Sequence, residues 1–272
     1  MRFALQRGRE HTELGAVDIV AEGGAAIAIS IGGAKKRYAH VDPNEDAALL
    51  ALGSAGLLVA VADGHHGFEA AEVALEYLAN YPAPHWTEPG TVRADTWRRQ
   101  VGAVLEDTNR AIRAERPGSA ERSCTTLATA LVLPKENALL YATIGDSHLY
   151  RAAADGSVRD LAAPRDEKPC FLGQSEADAA SLLARARVGS APLAGTRALV
   201  LVTDGLTERG IGVDDPEAAV REAVAAAACV PAPRRSLVAA RGVVERACAA
   251  HRRRNAGDNV ACAVVWISRE RA

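Results

Sequence analysis

Three apolar runs of the chain end in an aspartate followed by a small residue: VAVADG at Asp63, YATIGDS at Asp146 and VLVTDG at Asp204. A fourth aspartate, Asp258 in GDN, opens the last apolar run. If these runs are strands whose ends share one rim of a sheet, several carboxylates converge in a small volume. Like charges repel and a carboxylate loses hydration on burial, so such a cluster is tenable only when cations occupy it. Oxygen ligands in that number suit hard divalent ions. Upstream, VDPNEDAALLAL places Asn44, Glu45 and Asp46 just ahead of another apolar run, and His65 and His66 follow directly on Asp63-Gly64.

Each of these features has a plainer reading when taken alone. Asp-Gly is a favoured pair in tight hairpin turns, and Asp155-Gly156, set among polar residues, is read as one. Asn44–Asp46 by itself reads as a solvated turn before an edge strand, and the two histidines as loop residues at the rim. It is the recurrence at four strand boundaries that favours a metal cluster over four unrelated turns. SCTT at 123–126 has no G-x-S-x-G elbow and no histidine nearby in sequence, so it is read as strand. GGAKKR at 32–37 lacks the G-x-x-x-x-G-K-[ST] spacing of a phosphate loop and reads as a turn with a basic patch.

The elements that must position these residues are legible from periodicity. Strand signals cover 57–64, 125–161, 198–205 and 258–267. The second is expected to be a meander, because the turns at PKEN and at Asp155-Gly156 are too short for helical crossovers. GAVDIVAEGGAAIAISIG can supply the first strands, with a glycine pair at the turn. Trp97, Val101, Val104, Leu105, Thr108 and Ile112 repeat at three- and four-residue steps and predict an amphipathic helix over 93–115. Further helices are expected at 68–80, 216–228 and 236–251, and 82–92 is expected to be a surface loop. Antiparallel strands with segregated helices make an α+β layered domain. Without internal repeats or a long linker, 1–272 reads as a single domain.

Composition narrows the partners. Among 272 residues, 32 Lys and Arg against 34 Asp and Glu leave a net charge of -2, which gives no general attraction to nucleic acid or an anionic membrane. A hydrophobic fraction of 49% with 24% charged residues is globular rather than disordered. Cys124, Cys170, Cys229, Cys248 and Cys262 form no CxxC pair and are expected to be reduced, mostly buried thiols. No apolar leader opens the chain, and no run approaches the roughly 18 to 20 residues of a spanning helix. A cytoplasmic monomer is expected.

In order and spacing, NED (44–46), VADGHHG (61–67), SCTTLATALV (123–132), GDSHLYR (145–151), VTDGLTE (202–208) and GDNVACAVVWI (257–267) resemble the metal-dependent protein serine/threonine phosphatases of the type 2C family. The resemblance spans residues 44–267. It implies a four-layer α-β-β-α sandwich of two antiparallel sheets flanked by helices, with two Mn2+ or Mg2+ ions between the sheets. By position, Asp63 would bridge both ions, Asp46 and the Gly64 carbonyl would serve one, and Asp204 and Asp258 the other. Asp146, with Asp204, falls where some members hold a weaker third ion. The implied catalysis is in-line attack on phosphorus by a water activated between the ions, with no covalent phosphoenzyme. His65 would protonate the leaving serine or threonine oxygen, and the partner is a phosphorylated protein.

The chain departs from the family pattern in three places. Family members carry a phosphate-gripping arginine shortly before the acidic pair, whereas Arg37 stands seven residues before Asn44, with Lys35 and Lys36 beside it. The segment after GDS lacks the Asp-His pair and shows no flap-helix pattern. Glu208 occupies a place often held by an aspartate near the third ion. The leading reading is hydrolysis of phosphoserine and phosphothreonine. A noncatalytic regulatory pseudophosphatase, or phosphoprotein-binding module, of the same fold is the alternative, and a phosphatase for another phosphoester is a third. Arg37→Ala is expected to weaken substrate binding, seen as a raised KM; unchanged steady-state kinetics would remove Arg37 from the site.

Overall fold

Apolar runs that lack polar alternation need cover on both faces, which a single solvated sheet does not give. Two such sheets stacked between helices do, and the computed structural model of the chain has this arrangement. It describes residues 1–36, 40, 42–115, 123–162 and 169–267; Arg37 lies outside them.

The first sheet runs β1 (Arg2–Arg7), β4 (Ala47–Leu52), β5 (Leu57–Ala62), β8 (Leu127–Leu133), β9 (Ala138–Ile144) and β12 (Arg187–Pro192), all antiparallel neighbours. The second runs β11 (Val158–Asp160), β10 (His148–Ala153), β13 (Thr196–Val202), β14 (Val260–Trp266), β3 (Ala25–Ser30) and β2 (Asp18–Glu22). A two-residue ladder, β6 (Gly64–His65) with β7 (Cys124–Thr125), stands at the rim. The helices are α1 (Glu69–Asn80), α2 (Pro82–Trp86), α3 (Ala94–Glu115), α4 (Ala179–Arg185), α5 (Pro216–Ala228) and α6 (Arg235–Arg254).

Side chains alternate along each strand and sort the apolar residues into three layers. Leu49, Leu58 and Leu131 face Leu75, Leu78, Trp97 and Leu105 on α1 and α3. Val59, Val61, Ile27, Ile29, Leu199 and Leu201 meet between the sheets. Val200, Val202 and Val264 pack on Val220, Val224, Val243 and Val244 of α5 and α6. The result is the expected α+β four-layer sandwich. Among the described residues, no helix is long and apolar enough to cross a membrane.

The expected helices are found, and local chemistry sets their ends. Asp215 caps α5 by accepting from the Ala218 N–H at 2.8 Å, with Pro216 in the first turn. Asn255, left-handed at φ 49°, closes α6. The glycine pair Gly23-Gly24 turns β2 into β3 as expected.

Four expectations change. The 125–161 stretch is not one meander: β8 pairs with β9 and β10 with β11, but the GDS joint carries the chain from the first sheet to the second. β4 is no edge strand, because RFALQR at the N-terminus pairs outside it as β1. The 82–92 segment is not a plain surface loop. It contains α2, and Trp86 is buried edge-on to Trp97, ring centroids 4.8 Å apart. A short helix, α4, also appears after GDS, capped by Asp178, which accepts from the Ser181 N–H at 2.8 Å. As for the thiols, Cys124, Cys248 and Cys262 are buried, Cys170 is partly covered and Cys229 is exposed.

Trp97 is buried in the first helical layer and donates its indole N–H to the Tyr141 carbonyl at 2.9 Å. Trp97→Ala should therefore cost about 3–5 kcal/mol, measurable as a lower denaturation midpoint in urea. A midpoint within experimental error of the parent would show that this layer contributes little.

Candidate metal centre

The acidic residues meet because antiparallel neighbours start and end at the same rim. In the first sheet, Asp46 precedes β4 and Asp63 follows β5, whose facing ends pair Ala47 with Ala62. Asp146 lies in the joint between β9 and β10, where the chain changes sheets. In the second sheet, Asp204 follows β13 and Asp258 precedes β14, with Val202 opposite Cys262. The rim thus gathers Asp46, Asp63, Asp146, Asp204 and Asp258 from both sheets.

Hydroxyls and amides hold several of the acidic segments. Thr126 Oγ1 accepts from the Asp63 N–H at 3.0 Å, while the Thr125 hydroxyl donates to the Asp63 carbonyl at 2.8 Å. The Thr203 hydroxyl donates to Asp46 Oδ2 at 2.7 Å and accepts from the Ala261 N–H. Asn259 Oδ1 accepts from the Glu45 N–H at 2.9 Å, and its Nδ2 donates to the carbonyls of Pro43 and Ile31. Glu45 is partly spoken for: its Oε1 accepts from the N–H groups of Asp42 and Gly67, both at 3.0 Å. Close approach demands glycine at Gly64, where a Cβ would lie 2.4 Å from the Glu45 carbonyl oxygen, and at Gly205, where it would lie 1.8 Å from that of Asn259.

Potential ligand atoms form two sets, each with its members within 4.8 Å of one another: Asp63, His65 and Asp146 in one, and Asp204, Glu208 and Asp258 in the other. Glu208 comes in because its N–H bonds to the Asp204 carbonyl at 2.6 Å, one helical turn on. Burial, then the charges of Asp204, Asp46, Asp258 and Asp146, push the Asp63 carboxyl well above the usual range. Asp204 is raised likewise by burial, then by Asp258 and Asp146. Asp46 is pushed up to about 7 by burial and Asp258, against the Thr203 hydrogen bond and Lys36. Glu208 also rises to about 7, through burial and then its hydrogen bond with Asp258. Asp63 Oδ2, Asp146 Oδ1 and His65 Nε2 are buried with no hydrogen-bond partner. A divalent ion answers all of these costs at once, and carboxylate oxygens suit a hard cation, so these residues fit a metal.

These features agree with the comparisons to known proteins. A family profile described as "Protein phosphatase 2C" matches residues 34–236, well over half of the chain. The chain belongs to the protein phosphatase 2C family.

No curated protein sequence gives a significant match. Among solved structures, the serine-threonine phosphatase 2C from Toxoplasma gondii is similar with a TM-score of 0.65 and 16% identity, covering 93% of this chain and 99% of that one. The catalytic domain of the serine threonine protein phosphatase PstP, in complex with two manganese ions, gives 0.62 and 20%, covering 92% and 98%. The Ser-Thr phosphatase MsPP from Mycobacterium smegmatis, in complex with cacodylate, gives 0.59 and 22%, covering 92% and 100%. At these identities the likeness is one of fold. The enzyme class expected from the motifs, a protein serine/threonine phosphatase, is the class of the matched family.

Within this protein phosphatase 2C chain, the rim collects every site residue read from the sequence except Arg37, which falls outside the described residues. His65 packs edge-on against Phe171, ring centroids 4.4 Å apart, and burial lowers its pKa. His66 is exposed at φ 62°, in keeping with its reading as a turn residue. GGAKKR is not a plain basic patch. The Lys36 side chain is buried, with Nζ 3.6 Å from Asp258 Oδ1 and 3.8 Å from Glu45 Oε2. Sequence reasoning passed over Thr126, Thr203, Asn259 and Phe171. For Thr126 and Thr203 the only signal is a hydroxyl residue flanking the apolar runs.

Because Asp46 and Glu208 hold protons more tightly in the fold than in the unfolded chain, their contribution to metal-free stability is full below the ordinary carboxylate range and is lost as pH rises through about 7. Calorimetric melting of the chelated protein should therefore fall between about pH 5 and about pH 8. Manganese should reverse the trend, adding about 2.7 kcal/mol at a hundredfold excess over its Kd. Identical pH profiles with chelator and with manganese would count against a metal at this rim.

Proposed function

We propose that residues 1–272 act as one metal-dependent phosphatase domain that hydrolyses phosphoserine and phosphothreonine in protein substrates. The observation that carries this reading is the buried carboxylate rim with its orphaned Asp63 Oδ2 and Asp146 Oδ1. Membership of the protein phosphatase 2C family supplies the reaction class.

Two manganese or magnesium ions suit the ten or so carboxylate oxygens that converge here, and the PstP catalytic domain is described with two manganese ions. Asp63 would serve both ions, Asp46 and the Gly64 carbonyl one, and Asp204 and Asp258 the other, with Asp146 available to a weaker third. When bound, such ions would activate water at neutral pH and neutralise charge on the phosphoryl oxygens.

The chain's own residues do the rest. Thr125 and Thr126 hold the Asp63 backbone and Thr203 holds the Asp46 carboxylate, which limits the reorganisation these two residues need on binding. His65, half-buried and edge-on to Phe171, would give a proton to the serine or threonine oxygen as the phosphorus–oxygen bond breaks. Phosphate binding is assigned to Arg37.

A noncatalytic phosphoprotein-binding module is the second reading. Lys36 favours it, because an ammonium 3.6 Å from Asp258 is an internal cation where an ion would otherwise be needed.

The two readings separate in one assay. Hydrolysis of p-nitrophenyl phosphate and of a phosphothreonine peptide should require manganese and fall by at least about 10²-fold in Asp204→Asn, since removal of a group acting on transition-state charge costs that much. No turnover by the folded, metal-loaded parent would leave the binding module as the better account.

A further inference from the structure

Next to the rim, His251 is fully buried in the last turn of α6. Both ring nitrogens are engaged. The Gly33 N–H donates to Nδ1 at 3.2 Å, which leaves that nitrogen without a proton. Nε2 then carries the hydrogen and donates to the Gly205 carbonyl at 2.7 Å. One neutral imidazole therefore ties two loops: the turn that begins with Asp204, and the turn after β3 that leads to Lys36.

The second of these loops is itself wedged against Asp258. A Cβ on Gly32, at φ 105°, would lie 2.2 Å from the Asp258 carbonyl oxygen and 3.0 Å from His251 Nδ1. A Cβ on Gly33 would lie 2.0 Å from the Cys248 carbonyl oxygen. Further along, the Gly257 N–H donates to the Lys35 carbonyl at 3.0 Å, and Gly257 bridges Lys36. On the other side, Gly205 is packed onto the Asn259 carbonyl. Between these packed loops the imidazole bonds on one side to the Gly205 carbonyl and on the other to the Gly33 amide.

We propose that His251 is a positioning residue for the metal centre, its Nε2–H imidazole fixing the separation of the Asp204 and Asp258 loops so that the two carboxylates act on the same ion. This rests on the metal-dependent reading above. Partners outside the ligand shell that orient metal ligands are worth about 10–100-fold in metal affinity when removed, and a backbone clamp belongs at the lower end of that range. The ion that Asp46 and the Gly64 carbonyl would serve takes no part in the clamp and should be little affected.

Manganese titration by calorimetry on the intact chain tests this with His251→Leu, which keeps bulk and loses both bonds, and His251→Gln, which offers one acceptor and one donor in similar places. The expected result is that His251→Leu weakens one of two manganese sites by about tenfold or more and leaves the other, and that His251→Gln recovers most of the loss. Val243→Ala, a buried substitution earlier in α6, should lower the melting temperature while leaving both affinities at the parent value. Equal manganese affinities in the parent and His251→Leu would overturn the proposal with the metal reading intact; no manganese binding by the parent would overturn both. If His251→Leu does not fold, nitrogen NMR of the parent decides: the His251 ring must be the Nε2–H tautomer and its Nε2 resonance must move on addition of magnesium. An Nδ1–H tautomer, or an unmoved resonance in a protein that binds magnesium, would overturn it.

Discussion

The mutual repulsion of carboxylates gathered at one rim is the constraint on which the rest of the molecule depends. Five aspartates from two sheets and the half-buried Glu208 lie close enough that Asp63, Asp204, Asp46 and Glu208 all hold their protons above the normal range. A flexible chain would relieve such a cluster by moving apart. Here each of the five aspartates is one or two positions from the end of a largely buried strand, so separation would mean slipping an apolar strand out of a packed layer. Hydrophobic burial in three layers thus holds in place an electrostatic arrangement that only cations make favourable.

The same constraint explains the small residues around the site. Loops that bring carboxylates together must also bring backbones together, and Gly64, Gly205, Gly32 and Gly33 each sit where a Cβ would fall within about 2.5 Å of a carbonyl oxygen. Asp-Gly at Asp63 and Asp204 therefore has a different cause from Asp155-Gly156. At the hairpin, Gly156 is left-handed at φ 91° with nothing near it, and Asp155 Oδ1 accepts from the Ser157 N–H and hydroxyl. At the rim, glycine is required for contact with a neighbouring loop. The same dipeptide serves turn geometry in one place and backbone approach in the other.

What was legible in the sequence follows from this difference in range. Strand ends marked by aspartate, the Ala-rich helix at 216–228 and the layered architecture depend on neighbours a few residues away, and periodicity and composition report them. β1 was missed because RFALQR is short and flanked by charge, and its strand character comes from pairing with β4, some 45 positions along the chain. The passage from one sheet to the other at GDS was missed because a short turn fixes antiparallel chain direction without fixing which sheet receives the next strand. Lys36 read as part of a basic patch because nothing local reveals that Asp258, more than two hundred positions later, lies 3.6 Å away. His251 sits on an Ala-rich helix with no motif around it, and its two partners come from loops remote in sequence.

The two halves of the rim are chemically unlike, which bears on how the site would fill. Around Asp63 the neighbours are His65 and Asp146, and unpaired buried atoms remain on all three residues. Around Asp258 the neighbours are Asp204 and Glu208, and Lys36 already brings a positive charge to that side. A cation entering beside Asp63 meets more uncompensated negative charge than one entering beside Asp258, where it must also share the carboxylate with an ammonium group. Occupation should therefore be ordered, first beside Asp63 and then beside Asp258. The clamp at His251 acts on the second position, the one that has less charge in its favour and more need of fixed geometry.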